Sequence, residues 1–113
     1  MGVDQGTTGT TVLLLDDNWN LAASSHKEHK QYYPQPGWVE HDPKEILKQI
    51  KEAAEEVMKK AHATAEQVEC MGIDNQGETI VVWDKVTGEP LYPAIVWQDR
   101  RTATWIEELE EEI

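Results

Sequence analysis

Apolar residues return every three or four positions from Ile46 to Ala61 (Ile46, Leu47, Ile50, Ala53, Ala54, Val57, Met58, Ala61), and Lys and Glu fill most of the places between them. One apolar stripe and one charged face predict an amphipathic helix. Its start is marked just ahead of the stripe. Asp42 can cap the free N–H groups, Pro43 suits the first helical position, and Glu45, three residues after the cap, completes a capping-box pattern. Thr64-Ala65-Glu66-Gln67 repeats that capping logic on a small scale. From Asp99 onward Trp105, Ile106, Leu109 and Ile113 share one helical face, with no glycine to end the helix; this predicts a chain cut from a longer protein.

Elsewhere the pattern is that of strands. Val3-Asp4, a Gly/Thr-rich run (Gly6 to Thr11) and the apolar run to Leu15 read as strand, loop, strand. Asp16-Asp17-Asn18 supplies turn chemistry before a third, weakly alternating strand over Leu21 to Lys30. Tyr33 to Asp42 holds two prolines and a glycine, which exclude helix and predict an extended surface loop. Val68 to Asp74 reads as a buried strand. Ile80 to Trp83 and Leu91 to Trp97 read as two further strands, paired antiparallel through a turn-rich link.

Composition narrows the classes. The chain has 113 residues, 22 acidic against 10 Lys and Arg, a net charge of −12 and 39% apolar residues, which suits one small soluble unit. That charge repels phosphate backbones and anionic lipid surfaces, which argues against nucleic-acid and membrane partners. The longest apolar run, Val12 to Leu15, is far short of a membrane span, and the first residues do not form a secretory signal. The single Cys70 has no partner for an internal disulfide, so the expected compartment is the reducing cytoplasm. Cys70 itself reads as inert packing in a buried strand.

Three polar clusters carry candidate chemistry. Asp4-Gln5-Gly6-Thr7-Thr8-Gly9-Thr10 follows a strand and offers glycines, hydroxyls and backbone N–H groups, a concavity suited to phosphate, with Asp4 placed to hold Mg²⁺; an ordinary hairpin turn accounts for the loop equally well. In Asp74-Asn75-Gln76-Gly77-Glu78-Thr79 the Glu78 carboxylate can accept two hydroxyl bonds and Gly77 leaves room for a ligand, although a plain polar turn is the simpler local reading. Trp97 can wall a sugar pocket. Asp99 reads as a helix cap, and Arg100 and Arg101 as surface ion pairs. His26 and His29 fall on opposite faces of a strand, which argues against zinc.

Taken in order, Asp4-Gln5-Gly6-Thr7-Thr8, then Pro34-Gln35-Pro36-Gly37-Trp38-Val39-Glu40-His41-Asp42-Pro43, then Asn75-Gln76-Gly77-Glu78-Thr79, then Ala94-Ile95-Val96-Trp97-Gln98-Asp99-Arg100-Arg101-Thr102-Ala103 resemble the N-terminal region of the FGGY carbohydrate kinase family. The resemblance covers nearly the whole chain. It implies an α/β fold of the ribonuclease-H type, as in actin and hexokinase: a mixed sheet with flanking helices, of which residues 1–113 form an incomplete N-terminal domain. It also implies ATP and Mg²⁺ as cofactors and a small polyol or sugar as substrate, glycerol first. By resemblance Asp4 helps hold Mg²⁺, Gly6, Thr7 and Thr8 face the transferred phosphate, Glu78 and Gly77 adjoin the substrate hydroxyls, and Trp97 packs on its carbon skeleton.

Two departures stand out. Members acting on glycerol usually have Arg at the position of Gly77, and often an Arg near Thr11. The family's catalytic aspartate and adenine site lie beyond Ile113, so no catalytic residue is expected within these residues, nor kinase activity from them alone. The alternatives are a kinase of another polyol or sugar, and a free-standing binding or assembly module that forms a homo-oligomer through unpaired sheet edges.

Overall fold

The structure, a computed structural model, describes residues 1–113. In chain order its elements are β1 (Gly2–Gln5), β2 (Gly9–Leu15), β3 (Leu21–Glu28), β4 (Glu40–His41), α1 (Pro43–Lys60), a 3₁₀ turn (Ala65–Gln67), β5 (Gly72–Asn75), β6 (Ala94–Ile95) and α2 (Ala103–Glu112). The first three strands form an antiparallel meander. After α1 the chain returns as β5, parallel to β1, giving the sheet order β3-β2-β1-β5. This is the mixed α/β sheet that the resemblance implies. No helix is long and apolar enough to cross a membrane.

Local chemistry explains the meander. The β1–β2 hairpin closes where the Gly6 N–H donates to the Gly9 carbonyl at 2.8 Å. Asp16 closes the next turn, its Oδ1 accepting from the N–H groups of Asn18 and Asn20, each at 2.9 Å. Alternation along the strands then sends Val3, Val12, Leu14 and Ala23 to one face, where they meet Ala53 and Val57 of α1. Ile50, Ala54, Met58 and Ala61 flank this core, as the stripe predicted; Leu47, 52% exposed, does not join it.

The helix start is as expected in its cap but not in its box. Asp42 Oδ1 accepts the Lys44 N–H at 2.8 Å. Glu45 instead accepts the Lys30 N–H at 3.2 Å, so it ties the preceding loop to the helix rather than returning to the Asp42 backbone.

Two strand expectations and one loop expectation need correction. The stretch from Val68 to Asp74 is not a buried strand: only Gly72–Asn75 is extended, all four residues are exposed, and Cys70 is exposed too. The reason is position, since β5 is an edge strand with β1 as its one neighbour. Ile80–Trp83 and Leu91–Trp97 do run antiparallel, but they meet only at the bridges Ile80 to Ile95 and Trp83 to Pro90. Pro90 and Pro93 lack the N–H that a continuous ladder requires. The regular strand there is β6, paired antiparallel with β4. The loop expected on the surface over Tyr33 to Asp42 therefore ends inside the protein, with Glu40 7% and His41 0% exposed.

The molecule is elongated, with a radius of gyration of 17.8 Å against about 13 Å for a compact chain of this length. None of the residues of α2 is buried.

Candidate functional site

Four of the seven residues singled out from the sequence come together. Thr7, Gly77, Glu78 and Trp97, with Gln76, line one open depression of about 410 Å³. The β1–β2 hairpin supplies Thr7, the segment after β5 supplies Gln76 to Glu78, and the segment after β6 supplies Trp97. The Trp97 indole Nε1–H donates to Thr7 Oγ1 at 2.9 Å, so two residues 90 positions apart share a bond across the site. Glu78 is exposed and held at φ 63°, a left-handed backbone that side-chain-bearing residues adopt at a cost. Gly77 borders open space: a Cβ there would meet nothing within 4 Å.

Asp4, Gly6 and Thr8 do not line the depression. The Gly6 N–H is already engaged within the hairpin, and the carbonyls of Thr7 and Thr8 accept from Gln31 Nε2 at 2.8 Å and the His29 N–H at 3.2 Å. Much of the loop's hydrogen-bonding capacity therefore fixes its own shape. Gly9 serves the sheet rather than a ligand, since a Cβ there would lie 2.5 Å from the Lys27 carbonyl and 2.9 Å from the His26 ring.

Asp4 is exposed on β1, on the sheet face opposite to Val3, in register with Thr11 of β2 and Asp74 of β5. Two carboxylates on adjacent strands suit a small hard cation that keeps most of its water, and no group of three His, Cys, Asp or Glu side chains offers a closed cage instead. The chemistry of the Asp4 and Asp74 carboxylates is of the kind that fits Mg²⁺.

Of the polar residues behind the depression, Gln5, Gln76 and Thr79 lie in the polar clusters marked in the sequence and His41 in a block that carries the resemblance, but none was given a role there, and Gln31 carried no signal. Gln5, Gln31, His41, Gln76 and Thr79 come from four separate segments and bond to one another beneath the Thr7 loop. No periodicity marks such a cluster. Burial and the neighbouring His29 ring, 4.4 Å away, push His41 down to about 4.

Asp99 and Arg101 also differ from expectation. Asp99 does not cap α2, whose N-cap is Thr102, and Arg101 is not a surface ion pair. Asp99 Oδ2 accepts the Val39 N–H at 2.7 Å and Arg101 Nη2 at 2.8 Å, while the same guanidinium reaches Glu40 Oε1 at 2.8 Å and lies over the Trp38 ring. The Arg101 bond holds the Asp99 carboxyl down at about 2. This cluster fastens the Gly37-Trp38-Val39 turn to the segment that carries Trp97.

A meander, a crossover helix, a parallel fourth strand and a hydroxyl-and-carboxylate depression at the strand ends define the class. The chain belongs to the FGGY family of carbohydrate kinases, matching the family's N-terminal domain over residues 1–113. Among characterised relatives it is similar to the glycerol kinase of Haloarcula marismortui, 49% identical over 110 residues, and to that of Rhizobium meliloti, 47% identical over 109 residues. These matches take in 97% and 96% of this chain but 22% of each relative, so the chain spans about a fifth of their length. Among solved structures it superposes on Plasmodium falciparum glycerol kinase with ADP at a TM-score of 0.87 and 38% identity, covering 100% of this chain and 24% of that one. A xylulose kinase from Brucella ovis matches at a TM-score of 0.87 and 29% identity, covering 98% and 23%.

Proposed function

We propose that these residues are the N-terminal part of the first domain of an ATP-dependent polyol kinase, the part that grips the acceptor, and that glycerol is the first acceptor to test. The convergence of Thr7, Gly77, Glu78 and Trp97 on one depression carries the reading. A polyol there meets a carboxylate able to accept two hydroxyl bonds and an indole to pack on its C–H groups. Gly6, Thr7 and Thr8 lie on the side of the transferred phosphate, and Asp4 holds Mg²⁺, which neutralises phosphate charge when bound. In the transfer the acceptor hydroxyl oxygen bonds to the γ-phosphorus as the bond to ADP breaks, and the hydroxyl proton passes to a base outside these residues. The single Cys70, a free thiol, suits a reducing, cytoplasmic setting.

The test is acceptor binding in the intact protein. Glu78→Gln keeps the size of the side chain and removes its charge, and is expected to raise the glycerol dissociation constant about 30-fold, equivalent to about 2 kcal/mol. Isothermal titration measures it. Equal affinities of the two proteins for every polyol and sugar that the wild type binds would end the reading.

The open space at Gly77 favours a second acceptor class, larger polyols and ketoses. Gly77→Arg is expected to leave thermal stability unchanged, because the site is open, while tightening glycerol about tenfold and weakening five-carbon acceptors. A melt and a titration series check both halves; a substantial loss of stability, or no change in preference, would count against the assignment of Gly77 to the acceptor site.

A further inference from the structure

Behind the depression a chain of hydrogen bonds leaves Trp97 and comes back to Thr7. The Trp97 backbone N–H donates to Thr79 Oγ1 at 3.2 Å, and the Thr79 hydroxyl donates to Gln76 Oε1 at 2.8 Å. Gln76 Nε2 then faces three acceptors, Gln5 Oε1 at 3.1 Å, the Gly6 carbonyl at 3.3 Å and His41 Nδ1 at 3.4 Å. On the other side of the imidazole, His41 Nε2 lies 2.6 Å from Gln31 Oε1, and Gln31 Nε2 donates to the Thr7 carbonyl at 2.8 Å. The Trp97 indole closes the circuit on Thr7 Oγ1.

The direction of every bond follows from its ends. Gln31 uses its amide nitrogen on a carbonyl, so it presents oxygen to His41, and Nε2 of His41 must carry the proton. Nδ1 is then left to accept from Gln76. The Nε2–H tautomer is the form of the buried imidazole that matches both contacts, the short one to Gln31 and the one to Gln76, which at 3.4 Å is the longest of the three its amide nitrogen makes; protonated His41 would set its Nδ1–H against the Gln76 amide protons.

We propose that His41 is a positioning residue, which as the Nε2–H tautomer couples the 76–79 segment to Gln31 and so fixes the distance between the Thr7 loop and the Glu78 and Trp97 walls. This rests on the kinase reading of the depression. The phosphate side and the acceptor side belong to different hairpins and loops, and phosphoryl transfer loses rate steeply when two reacting groups drift apart by an ångström. The circuit ties them through the interior rather than through the ligand. Burial supports the role, since it keeps His41 neutral at physiological pH.

The experiment compares His41→Leu, which removes both polar atoms, with His41→Gln, which restores a donor at the position of Nε2, in the intact protein. In the ligand-free wild type at pH 7, long-range proton–nitrogen spectra are expected to show His41 as the Nε2–H tautomer. In His41→Leu the Trp97 indole proton, assigned by its loss in Trp97→Phe, is expected to exchange with solvent at least tenfold faster, and the glycerol dissociation constant to rise about tenfold. His41→Gln is expected to hold both within threefold of wild type. Should His41→Leu not fold, Gln31→Leu removes the same link to the Thr7 carbonyl from a half-buried site and is expected to give the same two changes. An Nδ1–H tautomer, unchanged indole exchange in the variant that folds, or equal behaviour of the leucine and glutamine variants would overturn the proposal. Indole exchange and tautomer are read without ligand, so a wild type that binds no polyol would defeat the kinase reading and leave this test standing.

Discussion

Arg101→Met is expected to destabilise the fold by about 3 kcal/mol, the scale for breaking a buried ion pair from one side. The guanidinium is 14% exposed and sits between the Asp99 carboxylate, 3% exposed, and Glu40, 9% exposed. Methionine keeps much of the packing over Trp38 but leaves two carboxylates close together and without their cation. Part of the loss is recoverable by neutralising one of them: Arg101→Met with Glu40→Gln is expected to be more stable than Arg101→Met alone. Urea unfolding of the three variants at pH 7 measures both steps. A loss below about 1 kcal/mol would place Arg101 with ordinary surface ion pairs, as its sequence context suggested. The consequence reaches the site, because Arg101 and Asp99 hold the turn at Gly37 against the segment carrying Trp97. The Arg100 N–H donates to the Gly37 carbonyl at 2.7 Å, and Gly37 sits at φ 78°, where a side chain would be strained.

This arrangement shows which parts of the structure could be read from the sequence. Helix α1 and the first two turns were legible because their causes are local: a 3.6-residue period, an Asp before a Pro, an Asp whose carboxylate bonds the next few N–H groups. The strands after residue 76 were misread because apolar runs resemble strands whether or not the ladder can form, and Pro90 and Pro93 decide that it cannot. Burial of β5 was overestimated for a related reason, since a β-branched run says nothing about whether a second strand lies beside it. For the site, Thr7, Glu78 and Trp97 were legible as chemistry but not as neighbours. The polar interior was legible in Gln5, Glu40 and His41 only as members of motif blocks and in Gln31 not at all, because the burial of the first three and the half-burial of Gln31 come from partners in other segments. Pro36-Gly37-Trp38 and Asp99-Arg100-Arg101 lie far apart in the chain and in contact in the fold, which gives a physical reason for the two blocks to occur together.

Acid is expected to weaken the protein well before its carboxylates protonate. His41 titrates at about 4 in the folded chain against 6.5 when unfolded. Above pH 6.5 the imidazole is neutral in both states and contributes nothing to the balance. Between 6.5 and about 4 the unfolded chain binds a proton that the folded chain refuses, so stability falls as pH falls, by about 1.4 kcal/mol per unit at most and about 3 kcal/mol over the window. His29, whose ring meets His41 edge-on and whose own titration is lowered chiefly by burial, adds in the same direction, with Glu45 of α1 opposing. The carboxylates act elsewhere: Asp99 and Glu56 are held down at about 2, so their stabilisation is present above the ordinary carboxylate range and disappears only as pH falls through it toward 2. A comparison of urea unfolding at pH 7 and pH 5 therefore isolates the histidines, with an expected loss of about 2 kcal/mol from His41. His41→Gln, which cannot titrate, is expected to remove most of that loss. Equal stabilities of the wild type at the two pH values would mean that the buried imidazole gains a proton without resistance, and the tautomer argument for the circuit beneath the Thr7 loop would lose its support in solution.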